Sequence, residues 1–280
     1  MLQFDFMQKA LLAGFLLSIM IPFIGVVMVN RKTSMVGDAL SHTSLMGVGL
    51  GLILGFDPVI GAIVICIISA FAIEGIRKKF PQFGDMATAV IMSTGLGLAA
   101  ILSDFAPGGN NFESYLFGSI SSVTASDLRN IVLVAIPLIG ASIAYYGALL
   151  DISIDSNLAR IAGVPVKKVN AVFTFFAAIT IALACKVVGA LLVASLIVLP
   201  VATALIVSRS YKQTMLISIV LGIIYTMLGI ILSYYFDIKP GGAIVINAVI
   251  GMLIMSLYSY GKRARKRKER AIEGNLIEEK

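Results

Sequence analysis

What most constrains this chain is a series of nine apolar runs, at residues 10–29, 35–55, 58–76, 87–102, 128–149, 169–185, 188–207, 214–234 and 242–260. About 20 apolar residues cross the hydrocarbon core of a bilayer as a helix. With no water to bond the backbone there, only helices or a closed barrel can span. Barrel strands are about ten residues long and alternate in polarity, which these runs do not, so the expectation is an all-α, polytopic integral membrane protein. Composition agrees, with 59% hydrophobic and 13% charged residues and a mean hydropathy of +0.98, outside the range of soluble domains. The first run ends in Asn30-Arg31-Lys32 without a small-residue cleavage site, so it reads as a retained span and not a signal peptide.

Two runs are weak. Residues 169–185 leave only a tight turn, around Lys186 and Gly189, before the next run begins. Residues 35–55 carry Asp38, Ser41, His42 and Ser44 on their first turns. The count is therefore about nine helices, or eight if one of these segments is re-entrant, a departure that transporters use to build sites.

The net charge of +7 is distributed in a way that fits a membrane face and excludes nucleic acid as a partner. With the N-terminus outside, Arg31, Lys32, Arg77, Lys78, Lys79, Arg160, Lys167, Lys168, Arg209 and Lys212 fall inside. Only Lys9, Arg129, Lys186 and Lys239 fall outside. Lys262, Arg263, Arg265, Lys266, Arg267, Lys268, Arg270 and Lys280 add to the inner side. The positive-inside rule then gives an outer N-terminus and a cytoplasmic C-terminus. Residues 1–261 form the transmembrane domain, and 262–280 a basic cytoplasmic tail facing anionic membrane lipid. Two connections exceed simple turns. Residues 103–127, with Pro107-Gly108-Gly109-Asn110-Asn111, lie outside. Residues 151–168 lie inside, where Asp155 or Ser156 can cap a short helix through Ile161 that Gly163 and Pro165 end. By itself that segment also reads as an ordinary amphipathic connector.

Chemistry concentrates in the stretch from Gly37 to Gly51, which holds the chain's single histidine. Asp38 and His42, four residues apart, share one helix face and can together hold a divalent cation. Two plainer readings stand beside that one: a hydrogen-bonded packing pair, or Asp38 as a helix cap. Ionisable groups inside membrane segments are costly and mark ion or substrate paths. Gly47, Gly51 and Gly55 follow at every fourth residue, a stripe that lets membrane helices approach closely. Glu74, with Arg77 and Lys78 at helical spacing, reads as a surface ion pair. Cys66 and Cys185 sit in apolar runs with no CxxC spacing and read as packing residues. No GxxxxGK[ST] phosphate loop, HExxH or GxSxG occurs, so the chain binds no ATP in that manner and is not expected to be an enzyme.

The stretch Gly37-Asp38-Ala39-Leu40-Ser41-His42-Thr43-Ser44-Leu45 resembles a motif of the membrane permeases of ABC-type zinc and manganese importers. Tyr115-Leu116-Phe117-Gly118-Ser119, then Leu158-Ala159-Arg160-Ile161-Ala162-Gly163-Val164, then Lys186-Val187-Val188-Gly189 running on to Pro200-Val201-Ala202-Thr203-Ala204, support the resemblance in the same order. It covers nearly the whole chain except the basic tail. It implies a fold like that of the cobalamin and siderophore permeases with fewer helices, in a bacterial cell membrane. It also implies an importer of two copies of this chain, two cytoplasmic ATPase subunits that use the ATP, and an external metal-binding lipoprotein or periplasmic protein. Asp38 and His42 would lie on the metal path, and Leu158, Ala159, Ile161 and Gly163 in the element that couples to the ATPase. The motif is closer to the zinc branch than to the manganese or iron alternatives. Two chains would present two carboxylates and two imidazoles, a set suited to four-coordinate zinc, whereas manganese favours more oxygen ligands.

Other classes fit less well. An ion-coupled secondary transporter needs its own coupling carboxylates mid-membrane, and only Asp38 and Glu74 are candidates. An intramembrane metalloenzyme needs three protein ligands and a general base.

Overall fold

The computed structural model describes residues 4–106, 109–119 and 121–278, with backbone alone for 81, 109–111 and 263–278. Among them every regular element is helical. Nine helices are long: α1 (Asp5–Asn30), α2 (Ser34–Leu54), α3 (Pro58–Lys79), α4 (Gly84–Phe105), α6 (Ala125–Ala144), α9 (Val166–Val188), α10 (Ala190–Val207), α11 (Tyr211–Phe236) and α12 (Pro240–Glu278). Three short ones join them: α5 (Gly109–Phe117), α7 (Tyr146–Ile154) and α8 (Ser156–Ile161). Pro107 and Gly108 of the expected outer connection, the side chains of Gly109, Asn110, Asn111 and Arg263 to Arg270, and Lys280 lie outside the described residues.

Eight of the nine long helices are long and apolar enough to cross a membrane. The ninth is α2, and its polarity, not its length, sets it apart. At 21 residues it extends about 32 Å, a full bilayer core. It is one uninterrupted helix, not a re-entrant loop. Lipid is largely replaced around it by α3, α4, α9 and α10. Its hydroxyls are satisfied within the helix: Ser41 donates to the Asp38 carbonyl (2.8 Å), Thr43 to Leu40 (3.0 Å) and Ser44 to Ser41 (2.6 Å).

Small residues make that enclosure possible. A Cβ on Gly47 would collide with the carbonyl oxygen of Gly61 in α3, and one on Gly61 with that of Gly47. A Cβ on Gly51 would stand 2.7 Å from Pro58 Cα. The expected stripe is therefore real at Gly47 and Gly51. Gly55 departs from it: it ends α2 in the left-handed region at φ 75°, with nothing within 4 Å of a Cβ there. The segment that reads as weakest, 169–185, is among the best enclosed. Ala177 to Cys185 of α9 are all buried, because small side chains let neighbours surround it.

The helix ends carry local signals. Asp57 accepts from Val59 N (2.9 Å) ahead of Pro58 at the start of α3. Thr124 and Asp127 form a capping box on α6. Arg31, at the end of α1, meets Asn170 near the start of α9 at 3.1 Å. Val27, Leu149, Ile152, Ala159, Val166 and Val169 pack together at the same end of the bundle. Lys186 and Asp127, and separately Lys239 and Glu113, pair at the other. Large apolar side chains that remain exposed, such as Ile68, Leu133, Ile136 and Leu257, form the outer surface that lipid covers.

In purified protein, Gly47→Ala should lower the melting temperature by several degrees, although alanine gains up to about 1 kcal/mol in helix propensity. Gly75→Ala, where a Cβ meets nothing within 4 Å, should match or exceed the parent. A Gly47→Ala protein as stable as Gly75→Ala would mean that α2 and α3 can separate freely.

Candidate functional site

Because α2 begins at Ser34, Asp38 lies a full turn inside it and is not a cap. Its carboxylate oxygen Oδ1 stands 3.6 Å from His42 Nε2, with the two side chains 31% and 13% exposed. That distance is too long for a hydrogen bond. Among the described residues His42 Nδ1 is buried without a hydrogen-bond partner. A satisfied packing histidine would bond that nitrogen, since leaving it alone costs about 1–3 kcal/mol. The geometry is that of two donors held near each other and short of a third party.

The burial pattern along α2 shows which side of the pair is open. Along α2 the residues Gly37, Ala39 to Ser41, Thr43 to Leu45, Gly47 to Gly49 and Gly51 are buried, while Asp38, His42, Met46 and Leu50 are partly open. Those four are spaced by four and make one stripe. The other faces are held by Ser44 bonding Cys185 of α9 (3.1 Å) and by Cys66 of α3 bonding the Leu40 carbonyl (3.2 Å). Thr43 adds a tight contact with Gly95 of α4. No group of three or more His, Cys, Asp or Glu able to hold a metal occurs among the described residues. One chain supplies two donors, half of what a four-coordinate ion takes.

The segment 151–168 forms α7's last turn, α8 and a sharp exit. Asp155 caps α8, accepting from Asn157 N (2.7 Å) and Leu158 N (3.2 Å). Gly163 takes φ 85° with open space around it. Leu158 and Ile161 are 62% and 82% exposed, three residues apart on one face. Ala159 points the other way, 2% exposed against Leu149, Ile152 and Val169. It seats α8 on the bundle, which leaves Leu158 and Ile161 as the exposed apolar side chains of this helix.

Two groupings escape a reading of the sequence, because their members lie far apart along it. Lys186 pairs with Asp127 at 2.6 Å, 15% and 6% exposed, tying α9 to α6 across 59 positions. Burial and the nearby Asp127 and Asp57 carboxylates push the Tyr115 hydroxyl up to about 12, so it stays protonated. Beside this pair the stretches ending in Gly118 and Gly189 form one junction. A Cβ on Gly118 would lie 2.6 Å from the Val187 carbonyl oxygen, and one on Gly189 2.6 Å from Gly118 N. Glu74, in turn, is no surface group. It is 18% exposed, pairs with Lys78 at 2.7 Å and accepts from Thr174 of α9 at 3.0 Å.

The profile of the ABC 3 transport family matches residues 3–259. The chain belongs to that family. It is 30% identical over 256 residues to the high-affinity zinc uptake system membrane protein ZnuB of Haemophilus influenzae, covering 91% of this chain and 98% of that one. It is 28% identical over 259 residues to the manganese transport system membrane protein MntC of Listeria monocytogenes, covering 92% of each. Its fold matches a chain of PsaBC from Streptococcus pneumoniae in complex with Fab, with a TM-score of 0.81 and 30% identity over 90% of this chain and 91% of that one. All-helical ABC permease architecture is thus common to the family member and its solved relative.

Removing Lys186 from the Asp127–Lys186 pair should cost about 3–5 kcal/mol, since the buried Asp127 charge then keeps only the neutral Thr124 cap as partner. Lys186→Met should therefore unfold at clearly lower denaturant than the parent, and Asp127→Asn with Lys186→Met should recover much of the loss. Equal stability of the single and double variants would remove the pair from the fold's support.

Proposed function

We propose that this chain is the membrane permease of an ATP-driven importer of a divalent metal ion, with Asp38 and His42 as ligands along the path and zinc as the cargo. The observation that carries this is the open stripe on α2: among the described long helices it is the one too polar to qualify as a span, and between Gly37 and Gly51 it is enclosed except along Asp38, His42, Met46 and Leu50, which places both metal-capable side chains on its open side. A second copy facing that stripe would bring the donors to two carboxylates and two imidazoles. The two copies would stand with N-termini outside and C-termini in the cytoplasm, the orientation favoured by the basic residues at the Arg31 and Arg77 end. Import then needs an external metal-binding lipoprotein or periplasmic protein to deliver the ion and two ATPase subunits inside, since no phosphate loop is present here.

A manganese importer is the second reading, supported by the similar identity to a manganese permease. The donor set favours zinc, because manganese takes more oxygen ligands. Uptake of labelled zinc by cells carrying the whole system should fall at least ten-fold in Asp38→Asn and in His42→Ala, with both proteins present in the membrane at parental levels. Labelled manganese should be taken up more slowly than zinc by the parent. Parental zinc uptake in both variants would end the ligand assignment, and faster manganese uptake would move the chain to the other cargo.

Leu158 and Ile161 of α8 form the exposed apolar pair through which the ATPase would grip the permease. Ile161→Glu should abolish co-purification with the ATPase and lose uptake, while Asp155-capped α8 keeps the isolated permease's melting temperature. If Ile161→Glu still co-purifies and transports, the connection at Arg209 and Lys212 becomes the docking element.

A further inference from the structure

A cavity of about 210 Å³ opens at the Arg31 end of the bundle, between α1, α2, α3 and α9, far larger than one water needs. Its charged lining is Arg31, Arg77 and Lys78 against the single carboxylate of Glu74. That carboxylate is already engaged, by Lys78 at 2.7 Å and Thr174 at 3.0 Å. Arg31 has the neutral amide of Asn170 as its partner, at 3.1 Å. Among the described residues neither Arg31 nor Arg77 has a carboxylate partner. Burial, then the neighbouring Arg77, lower the pKa of Arg31, with Glu74 opposing them. Two guanidiniums and the Lys78 ammonium thus line one cavity against a single carboxylate.

The cavity is not the metal path. Its α2 lining, Thr33, Val36 and Leu40, lies about 180° around the helix from Asp38 and His42, at roughly 100° per residue. Its excess of positive charge repels a divalent cation. Leu40, Ile73 and Phe173 supply an apolar wall beside the cations. Planar guanidiniums bind phosphate oxygens in pairs, and basic pockets between membrane helices take phospholipid head groups.

We propose that this cavity binds a phosphate group, presented by an anionic phospholipid of the surrounding leaflet or as a free phosphate ion. Bound there, the phosphate relieves the repulsion between Arg31 and Arg77 and ties the ends of α1 and α3 to the start of α9, on the back of the helix that carries the metal pair.

The test uses the full-length chain, delipidated in an uncharged detergent, with phosphatidylglycerol or phosphatidylcholine added in mixed micelles. Separate samples receive inorganic phosphate or chloride at equal ionic strength. Phosphatidylglycerol, phosphate or both should raise the melting temperature, and phosphatidylcholine and chloride should not. A response to phosphate without lipid assigns the free ion, and a response to phosphatidylglycerol alone assigns the lipid. The midpoint concentration should rise at least ten-fold in Arg77→Gln and in Lys78→Gln. It should stay unchanged in Lys79→Gln, which is outside the cavity at the same end. Glu74→Gln removes the only competing carboxylate and should lower the midpoint several-fold, a gain that a structural role alone does not produce. The proposal is overturned if phosphatidylglycerol acts no better than phosphatidylcholine and phosphate does nothing. It also falls if Arg77→Gln and Lys78→Gln both behave as Lys79→Gln.

Discussion

A helix carrying Asp38, Ser41, His42, Thr43 and Ser44 is stable in hydrocarbon only when other helices stand where lipid would be. That requirement organises the molecule. α3 reaches α2 through backbone contact at Gly47 and Gly61, and α4 comes within reach at Gly95 against Thr43. α9 approaches with Cys185 against Ser44. Lipid tails are as apolar as leucine, so these contacts rest on close approach and on hydrogen bonds between helices, not on burying apolar surface from water. Glycine at the crossing points is what lets a polar helix be wrapped at all.

Wrapping on three sides leaves the fourth, and the chain places its metal-capable pair there. Had Asp38 and His42 faced α3 or α9, their polar atoms would have needed partners from those helices. On the open stripe they keep each other at 3.6 Å, close enough to share an ion and too far to satisfy one another. The arrangement leaves the unsatisfied His42 Nδ1 and the Asp38 carboxylate on the side of α2 that its neighbours leave open.

The periodic signals in the sequence carry the helices, the Asp155 cap of α8 and the shared face of Asp38 and His42, because each depends on neighbours within a turn or two. What they do not carry is which face ends up covered. Ala159 and Leu158 are adjacent, and nothing local says that one is buried and the other free. Residues 169–185 look weak because only a tight turn at Lys186 and Gly189 separates them from the next run, yet their alanines let neighbouring helices surround α9. Gly55 continues the fourfold spacing of Gly47 and Gly51 but serves as a helix stop, since the chain turns at Phe56 and Asp57. The Asp127–Lys186 pair and the Arg31 cavity join positions 59 and 139 residues apart, a distance no local pattern spans.

α9 connects the two ends of this design. Its first turn sets Val166 and Val169 against Ala159 of α8. Its second and third carry Asn170 and Thr174, which hold Arg31 and Glu74. Its last turns hold Cys185 against Ser44 of α2 and Lys186 against Asp127. The helix runs 23 residues, about 34 Å, and contains no proline, whereas α1, α6 and α10 each have one inside (Pro22, Pro137 and Pro200). Along that one close-packed helix the contacts with α8 and with α2 are held at its two ends. α10 follows it through the single residue Gly189, at φ 97°, a conformation that side chains other than glycine's rarely adopt. The proline-free helix and the left-handed glycine thus adjoin at the end opposite α8, where Cys185 meets Ser44 of the helix that carries Asp38 and His42.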